Sequence, residues 1–301
     1  MKNIKINAFV LSILAVMAIG INGCKEVGPQ LPWGNTSVLS DTTYVENPVA
    51  TAETKNVLIE ELTGVSCINC PQGHDIVKNL IASSVGRVIA VSMHSTSEPA
   101  AQDESIGSLT TQVIGCPDVD ALIGRFGEPG QRPAGAIDRQ LYTDITGSPI
   151  IWTDRSNWIN DAQMQMTKTT PVNLVLGSTY DATTKTITVS AEVHYTATQP
   201  DSSQALTIFL TEDSIVTAQQ NGSIIDTYYV QNYVMRKALT TATGDQMSVP
   251  MQAGRVVRRI YVYHITNAVW KPEHMNIVAF INKISTSAPD VLQTKTLKVI
   301  H

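Results

Sequence analysis

Two hydrophobic patterns divide the chain near residue 170. Before it, short apolar runs alternate with stretches in which apolar residues recur at helical spacing. The runs NVLIEEL and RVIAVSM predict strands, and the helix predicted between them has one buried face, made by Ile76, Val77, Leu80 and Ile81. This strand–helix–strand order predicts a right-handed crossover and an α/β fold over residues 56–170.

Further elements are predicted in the same part. A second helix has apolar residues at helical spacing, namely Ile106, Leu109 and Val113. A third helix is predicted from the N-cap Asp118 to Phe126, and the run AGAID predicts a short strand. Thr153 is the predicted cap of a last helix that reaches Met166.

After Pro171 the period changes to two. The runs VNLVLGSTY, TITVSAEVHY, ALTIFLTE, RRIYVYHIT, NIVAFIN and TLKVI have strand length, and turn residues separate them. In TITVSAEVHY, aliphatic side chains alternate with polar ones, as in a strand with one buried face. Residues 171–301 are therefore predicted to form an all-β, immunoglobulin-like sandwich of about seven antiparallel strands.

The first residues predict export. Lys2 and Lys5 precede the apolar run Ala8 to Ile21, which is too short to span a bilayer and fits a signal peptide over residues 1–23. The run ends in INGC, which resembles the lipobox of bacterial lipoproteins. In that family the cysteine, here Cys24, becomes the first residue and carries the lipids. The alternative is an ordinary secretory signal followed by a chance cysteine.

Residues 24–55 are rich in Pro, Thr, Ser and Asn without sustained periodicity, which predicts a lipidated tether. The alternative is an edge strand added to the first domain through TSVLS or TTYVE. The length of the remaining chain agrees with two domains, 56–170 and 171–301. The net charge of −5 and the lack of a basic block exclude an electrostatic footprint for nucleic-acid binding.

The candidate chemistry lies in GVSCINCPQGH, which places Cys67 and Cys70 between a predicted strand and a predicted helix. A helix N-terminus stabilises a thiolate, and a second cysteine three residues on can close a disulfide with the first. We expect Cys67 at the turn to attack and Cys70, one turn into the helix, to be shielded. Cys116 is expected to stay out of the exchange.

Other uses of these cysteines remain open. Zinc could bind Cys67, Cys70, His74 and Cys116, although zinc ribbons usually have two C-x-x-C knuckles and this chain has one. A c-type haem would require histidine directly after Cys70, where Pro71 stands. A structural disulfide is the strongest alternative. We expect neither a metal nor another cofactor.

Three segments together resemble a known family. VLIEELTGVSCINCPQGH, RVIAVSMH and RPAGAIDR are similar to a thioredoxin-like domain. More specifically, they resemble bacterial lipoproteins related to an outer-membrane protein of twenty-eight kilodaltons. The resemblance covers about residues 55–140 and implies a thioredoxin-like fold and an outer-membrane address, facing the periplasm or the cell surface.

The resemblance also implies roles for individual residues. Pro133 matches the cis-proline whose backbone pairs with an incoming peptide, and Glu61 matches the buried acid that relays the proton of the second thiol. His94, at the end of a strand, is either a site-lining or a surface residue, and Arg132 before the proline is a further site-lining candidate. The chain departs from the thioredoxin pattern at Ser66, where tryptophan is usual, and between the cysteines, where no residue is positively charged.

Two functions follow as expectations. The first is a membrane-anchored protein that exchanges thiols and disulfides with a protein partner. The second is a non-enzymatic surface lipoprotein, an adhesin or assembly component, with a structural Cys67–Cys70 disulfide.

Overall fold

A computed structural model describes residues 36–96, 112–143, 147–199, 203–285, 287 and 289–301. The predicted signal peptide, Cys24, and the helix predicted around Ile106 and Leu109 lie outside these residues. The described part is mostly β, with several sheets and three α-helices. None of the described helices combines the length and the apolarity that crossing a membrane requires.

The helices are α1 (Cys70–Ser83), α2 (Pro117–Phe126) and α3 (Trp158–Met166), with a short 3₁₀ turn at Pro272–His274. The strands of the first half are β1 (Thr36–Val45), β2 (Val57–Thr63), β3 (Val88–His94), β4 (Ala134–Ile137), β5 (Tyr142–Thr143), β6 (Pro149–Ile150) and β7 (Thr153–Asp154). Those of the second half are β8 (Val172–Asp181), β9 (Thr186–Tyr195), β10 (Gln204–Glu212), β11 (Ile215–Asn221), β12 (Ile224–Gln231), β13 (Val234–Ala238), β14 (Asp245–Gln246), β15 (Arg255–His264), β16 (Met275–Lys283) and β17 (Val291–Lys298).

The first half has the predicted strand–helix–strand order. β2 and β3 are parallel and entirely buried, and α1 connects them. β4 lies antiparallel on the other side of β2. Helices cover both faces of these strands, because α1 and α3 pack on one apolar cluster and α2 packs on another. Burial on both faces explains why β2 and β3 read as continuous apolar runs.

One sheet continues from the first half into the second. Nine of the described strands belong to it, in the order β17-β16-β10-β13-β3-β2-β4-β7, with β14 beside β10. The junction is the parallel pair β13–β3, where Val234 lies opposite Ser92. Both halves belong to one compact unit, Gly34–His301. The domain boundary at residue 171 stays a prediction, and a sheet now runs across it.

A second sheet, β1-β15-β9-β8, faces the β17-β16-β10 part of the first. The predicted alternation in β9 is confirmed, since its aliphatic residues Ile187, Val189, Ala191 and Val193 are all buried. They pack in one core with inward-facing residues of β10 and β16. All six strand runs predicted after residue 171 are therefore strands that build this core.

The tether predicted over residues 24–55 is corrected for its described part. β1 is a strand of ten residues that pairs antiparallel with β15 along its whole length. The alternative correctly predicted an edge strand here. It placed the strand in the first domain, however, whereas β1 pairs with β15 of the second half. The strand escaped detection because most of its side chains are exposed, so its sequence TSVLSDTTYV has little apolar periodicity.

Both predicted helix caps are wrong. α2 begins at Pro117 with Cys116 as its N-cap, and the Asp118 carboxylate instead accepts hydrogen bonds from Lys237 Nζ at 2.8 Å and the Ala238 amide at 2.8 Å. α3 has Asn157 as its N-cap, and Thr153 Oγ1 donates to the Gly135 carbonyl at 3.1 Å. In each case a long-range partner holds the side chain that the sequence suggested as a local cap.

Candidate dithiol site

Cys67 and Cys70 form a disulfide in the turn between β2 and α1. Cys67 is 8% exposed and Cys70 is fully buried, which agrees with the expected order of accessibility. Two turn hydrogen bonds fix the loop, from the Cys67 amide to the Gly64 carbonyl and from the Cys70 amide to the Cys67 carbonyl, each 3.2 Å long.

The start of α1 differs from the prediction. The helix begins at Cys70 itself, with Asn69 as its N-cap and Pro71 directly after. Cys70 therefore lies at the first helical position rather than one turn in. Proline fits this place because the first amides of a helix have no intrahelical partner. The free amides and the dipole of α1 consequently act on both sulfurs.

Glu61 and Pro133 meet beneath the first turn of α1. The Arg132–Pro133 peptide bond is cis, as the resemblance implied, and β4 starts directly after it. A side chain at Gly73 would come within 2.5 Å of Glu61 Oε1 and 3.0 Å of Pro133 Cγ. Glycine at position 73 thus lets the helix approach both residues. The sequence analysis did not identify this glycine.

Glu61 is an isolated buried acid. It is 2% exposed, and its Oε1 atom has no hydrogen-bond partner among the described residues. Burial raises the pKa of Glu61 well above its ordinary value. The carboxyl group therefore holds a proton more firmly than a surface glutamate and is able to donate one.

His74 connects Glu61 to the second half of the chain. Its Nε2 atom lies 3.8 Å from Glu61 Oε1 and 3.0 Å from Thr63 Oγ1, and its Nδ1 atom lies 2.7 Å from the Tyr229 hydroxyl. Burial lowers the pKa of His74 to about 4, so the imidazole is neutral at pH 7. From the sequence, His74 was expected only as a possible zinc ligand, and no pattern pointed to Tyr229.

An open cleft of about 510 Å³ borders this group of side chains. Glu61, His74, Asp75 and Lys78 line it from the first half, and residues including Tyr229 and Tyr233 line it from the second. The cleft brings solvent to the exposed side of this group, while Glu61 itself remains 2% exposed.

His94 and Arg132 lie close to the site. His94 ends β3 opposite Thr63 and is fully buried, so the surface alternative for it is wrong. Burial, together with the charges of His74, Arg236 and Arg132, lowers the pKa of His94 to about 3. Arg132 forms an ion pair with Glu128 at 2.7 Å, and its side chain is 11% exposed.

A hairpin from the second half covers the disulfide loop. It consists of β11 and β12, which pair antiparallel around the turn Gly222–Ser223. The amides of Gln220 and Gly222 donate to the carbonyls of Val65 at 2.7 Å and Ile68 at 3.0 Å. The buried Gln219 Nε2 donates to the carbonyls of Gly64 at 3.1 Å and Cys67 at 3.2 Å. We call β11–β12 the cover hairpin.

The cover hairpin was missed although the sequence contains a signal for it. Gly–Ser between two strand-forming runs, here Gly222–Ser223, is a local indication of a hairpin. The runs on either side, IVTAQQ and IIDTYYV, were not recognised as strands because only part of their apolar residues is buried.

The possible zinc ligands do not form a site in this structure. Cys67 and Cys70 are bonded to each other, and no group of three or more His, Cys, Asp or Glu side chains within the described ranges is arranged to hold a metal ion. Cys116 is 1% exposed, its Sγ atom lies 3.5 Å from the Arg236 carbonyl, and burial raises its pKa to about 11. This buried thiol is poorly placed for exchange.

The family model described as outer membrane protein Omp28 matches residues 120–300. The chain belongs to the Omp28 family. The matched range includes Pro133 and the cover hairpin but begins after Cys67 and Cys70. Membership in the family thus indicates association with the outer membrane. It says nothing about the dithiol, which lies outside the matched residues.

A solved structure with a TM-score above 0.5 supports the fold. HBP35 of Porphyromonas gingivalis is similar with a TM-score of 0.63 at 17% identity, covering 83% of this chain and 77% of its own. A domain of the outer membrane lipoprotein Omp28 from the same organism gives a TM-score of 0.31 at 17% identity, covering 44% of this chain and 89% of its own. A protein from Agrobacterium tumefaciens gives 0.49 at 11% identity, covering 83% of this chain and 96% of its own. No curated protein matches the sequence.

The run PAGAIDR lies within the Omp28 match, and the structure shows what several of its residues do. A side chain at Gly135 would lie 2.5 Å from the Trp158 indole. Asp138 Oδ1 accepts the Leu58 amide at 2.8 Å, and Oδ2 pairs with the buried Lys55. Burial raises the pKa of Asp138 to about 6. The strand after the cis-proline is therefore fixed by close packing and by a buried charge.

Arg139, the last residue of the run, forms a buried bidentate pair with Glu60, at 2.7 and 2.6 Å. Its guanidinium lies between the rings of Phe126 and Phe280, 5.1 and 4.8 Å from their centroids. Phe280 belongs to β16, so this arginine joins the first half to the second.

Proposed function

We propose that the protein is a lipid-anchored outer-membrane protein that exchanges thiols and disulfides. Its parts would be a thioredoxin-like α/β unit and an immunoglobulin-like sandwich that shares a sheet with it. The observation that carries the proposal is the Cys67–Cys70 disulfide at the start of α1, above a buried acid and a cis-proline.

The reaction would proceed in two displacements. In the reduced protein the Cys67 thiolate attacks a partner disulfide, forming a mixed disulfide and releasing one partner thiolate, which takes a proton from solvent. Glu61 then removes the Cys70 proton, and the Cys70 thiolate attacks the Cys67 sulfur. The bond to the partner breaks, the Cys67–Cys70 bond forms, and two electrons have passed to the partner. The partner chain would align along the backbone at Pro133.

Trapping tests this order. In the full chain, Cys70→Ser should accumulate a stable mixed disulfide with a disulfide-bonded peptide through Cys67, whereas Cys67→Ser should accumulate little. The same pair of variants, alkylated with iodoacetamide across pH, should show the lower thiol pKa at Cys67. If Cys67→Ser traps as efficiently as Cys70→Ser, the assignment of roles is wrong.

A structural disulfide is the second candidate function, that of a non-enzymatic surface lipoprotein. The observation that favours it is the cover hairpin, which leaves Cys67 8% exposed and Cys70 buried. Exchange requires the hairpin to move. The reduction potential separates the two: below about −300 mV the bond is structural, and between about −270 and −120 mV it lies among exchange proteins.

The anchor is proposed from INGC after a short apolar run, with Cys24 as the lipidated residue. Fractionation of cells that express the wild type and Cys24→Ser tests it. We expect the wild type in the outer membrane with an acyl mass on Cys24, and the variant released. An unlipidated wild type with unchanged retention would contradict the anchor. Protease accessibility on intact cells would then show which side of the membrane the protein faces.

A further inference from the structure

We propose that His74 and Tyr229 form a proton path between Glu61 and the open cleft, a role that rests on the proposed exchange function. His74 would act as a positioning and relay residue through Glu61, without touching the reacting sulfurs. The path would join the dithiol machinery of the first half to the cover hairpin of the second.

The need for a path follows from the burial of Glu61. In every catalytic cycle the acid must take one proton from Cys70 and lose it again. Glu61 is 2% exposed, and its Oε1 has no hydrogen-bond partner in the described part of the chain. A proton cannot leave a buried carboxyl group quickly without an acceptor within reach.

The geometry supplies the acceptor. His74 Nε2 lies 3.8 Å from Glu61 Oε1, a gap that a small side-chain rotation or one water closes. On the other side of the ring, Nδ1 lies 2.7 Å from the Tyr229 hydroxyl. Tyr229 lines the cleft and is partly exposed, so the path ends at solvent.

The transfer balances within the proposed cycle. Glu61 receives the proton as the Cys70 S–H bond breaks. Its O–H bond then breaks while an N–H bond forms at His74 Nε2. The proton on Nδ1 passes to the Tyr229 oxygen as the hydroxyl proton leaves to water in the cleft. The ring returns to its first tautomer when cleft water takes the Nε2 proton and supplies one to Nδ1 through the Tyr229 hydroxyl, so no net proton and no redox partner beyond the exchange substrate is consumed in this step.

The surrounding charges suit a neutral relay. His74 faces Glu61 from β2, His94 from β3 and Tyr229 from β12. Asp75 and Lys78 of α1 and Asp213 after β10 line the same cleft. Burial lowers the pKa of His74 to about 4, so the proton would rest on Glu61 and cross the imidazole only briefly. A neutral imidazole can accept at one nitrogen and release from the other.

The experiment measures the Cys70 step in the full chain. The mixed disulfide through Cys67 is formed with a fluorescent disulfide peptide, and its resolution is followed from pH 5 to 9. We expect His74→Ala to slow resolution at pH 7 about tenfold or more, the lower part of what general acid–base catalysis contributes. Added imidazole, which the cleft can admit, should restore much of the rate. Trapping by Cys67 in the Cys70→Ser background should not change.

Two further variants make the outcome decisive. Tyr229→Phe keeps the ring but removes the hydroxyl, and it should slow resolution and reduce the solvent deuterium isotope effect. Lys78→Gln removes a charge from an exposed residue of the cleft that is not part of the path, and it should leave the rate nearly unchanged. A wild-type rate and pH profile in His74→Ala, or a slow rate that imidazole does not restore, overturns the path. A wild type that forms no mixed disulfide overturns the exchange function itself, and this result appears before any His74 variant is measured.

Discussion

Gly73 determines how closely α1 approaches the sheet. Its missing side chain leaves room for the Glu61 carboxyl and the Pro133 ring, both of which a Cβ would meet at 3.0 Å or less. Gly73→Ala should therefore destabilise the protein by about 1–3 kcal/mol through overpacking. Urea denaturation of the oxidised protein measures this.

The matched control is Gly124→Ala, in the middle of α2. Gly124 is exposed, and a Cβ there would meet nothing within 4 Å. The substitution should be neutral or stabilising by up to about 1 kcal/mol, because alanine favours a helix over glycine. Equal costs at the two positions would show that the contacts beneath α1 do not matter.

Glu61 should make stability depend on pH in an unusual direction. Its pKa is raised above the ordinary 4.5, so the folded protein keeps a proton that the unfolded chain releases. The resulting stability is complete below pH 4.5 and is lost as pH rises through the folded pKa. Glu61→Gln stays neutral at all pH and should avoid this loss.

The measurement is the free energy of unfolding of the wild type and Glu61→Gln from pH 4 to 9. We expect the difference to grow in favour of the variant as pH rises. His74 and His94 are present in both proteins, so their titrations largely cancel in the difference. Parallel curves for the two proteins would mean that Glu61 ionises normally in the fold.

The cover hairpin should control access to the disulfide. Gln219→Ala removes the side-chain donor to the Gly64 and Cys67 carbonyls. If each net hydrogen bond is worth about 0.5–1.5 kcal/mol, the two bonds together are worth about 1–3 kcal/mol, and reduction by dithiothreitol should become about 5–150 times faster. Gln220→Ala is the control, because its side chain bonds only the Gly222 carbonyl while its amide still holds Val65. If the two variants are reduced at the same rate, the hydrogen bonds of the Gln219 side chain do not control access to the disulfide.

For individual helices and strands, the sequence predicted those elements whose apolar residues follow a regular local spacing. β2, α1 and β3 followed from apolar spacing, and the turn that holds Cys67 and Cys70 followed with them. β1 and the cover hairpin did not follow, because much of their surface faces solvent. The start of α1 at Cys70 also could not be predicted, because a C-x-x-C can lie just before a helix or within its first turn.

The Arg139–Glu60 pair belongs to the whole molecule, because Phe126 and Phe280 enclose its guanidinium from both halves. Arg139→Met should cost about 3–5 kcal/mol, since it leaves the buried Glu60 without a partner. The control is Arg258→Met, whose pair with Glu192 is half-exposed and should be worth about 1 kcal/mol or less. Thermal unfolding of both variants measures the contrast. A small cost at Arg139 would show that Glu60 reaches solvent or becomes protonated.

The predicted boundary at residue 171 can be tested with a fragment of residues 171–301. Independent domains would require this fragment to fold alone with a β-type far-UV spectrum. Because the sheet crosses the boundary and the fragment would expose Phe209 and Phe280, we expect it to associate or to unfold without cooperativity. A monomeric fragment that unfolds cooperatively would instead support two domains.

The candidate site could be predicted only in part, because some of its contacts join distant parts of the chain. Cys67, Cys70, Glu61 and Pro133 lie within the segments that carry the resemblance, and the structure brings them together. Tyr229 lies on β12 and contacts His74, and this contact between distant parts of the chain leaves no local pattern. Long-range pairing of this kind cannot be read from periodicity.

If Cys24 is the lipid anchor, the position of β1 limits how far the molecule can stand from the membrane. A tether from residue 24 to residue 55 would span up to about 100 Å, whereas the chain enters a sheet already at Thr36. If Cys24 carries lipid, the eleven residues between it and Thr36 let the chain reach about 40 Å at most. A protein anchored by so short a segment would stay within a thin layer above the bilayer. Its partners would have to be membrane-bound themselves or project their disulfides into that layer.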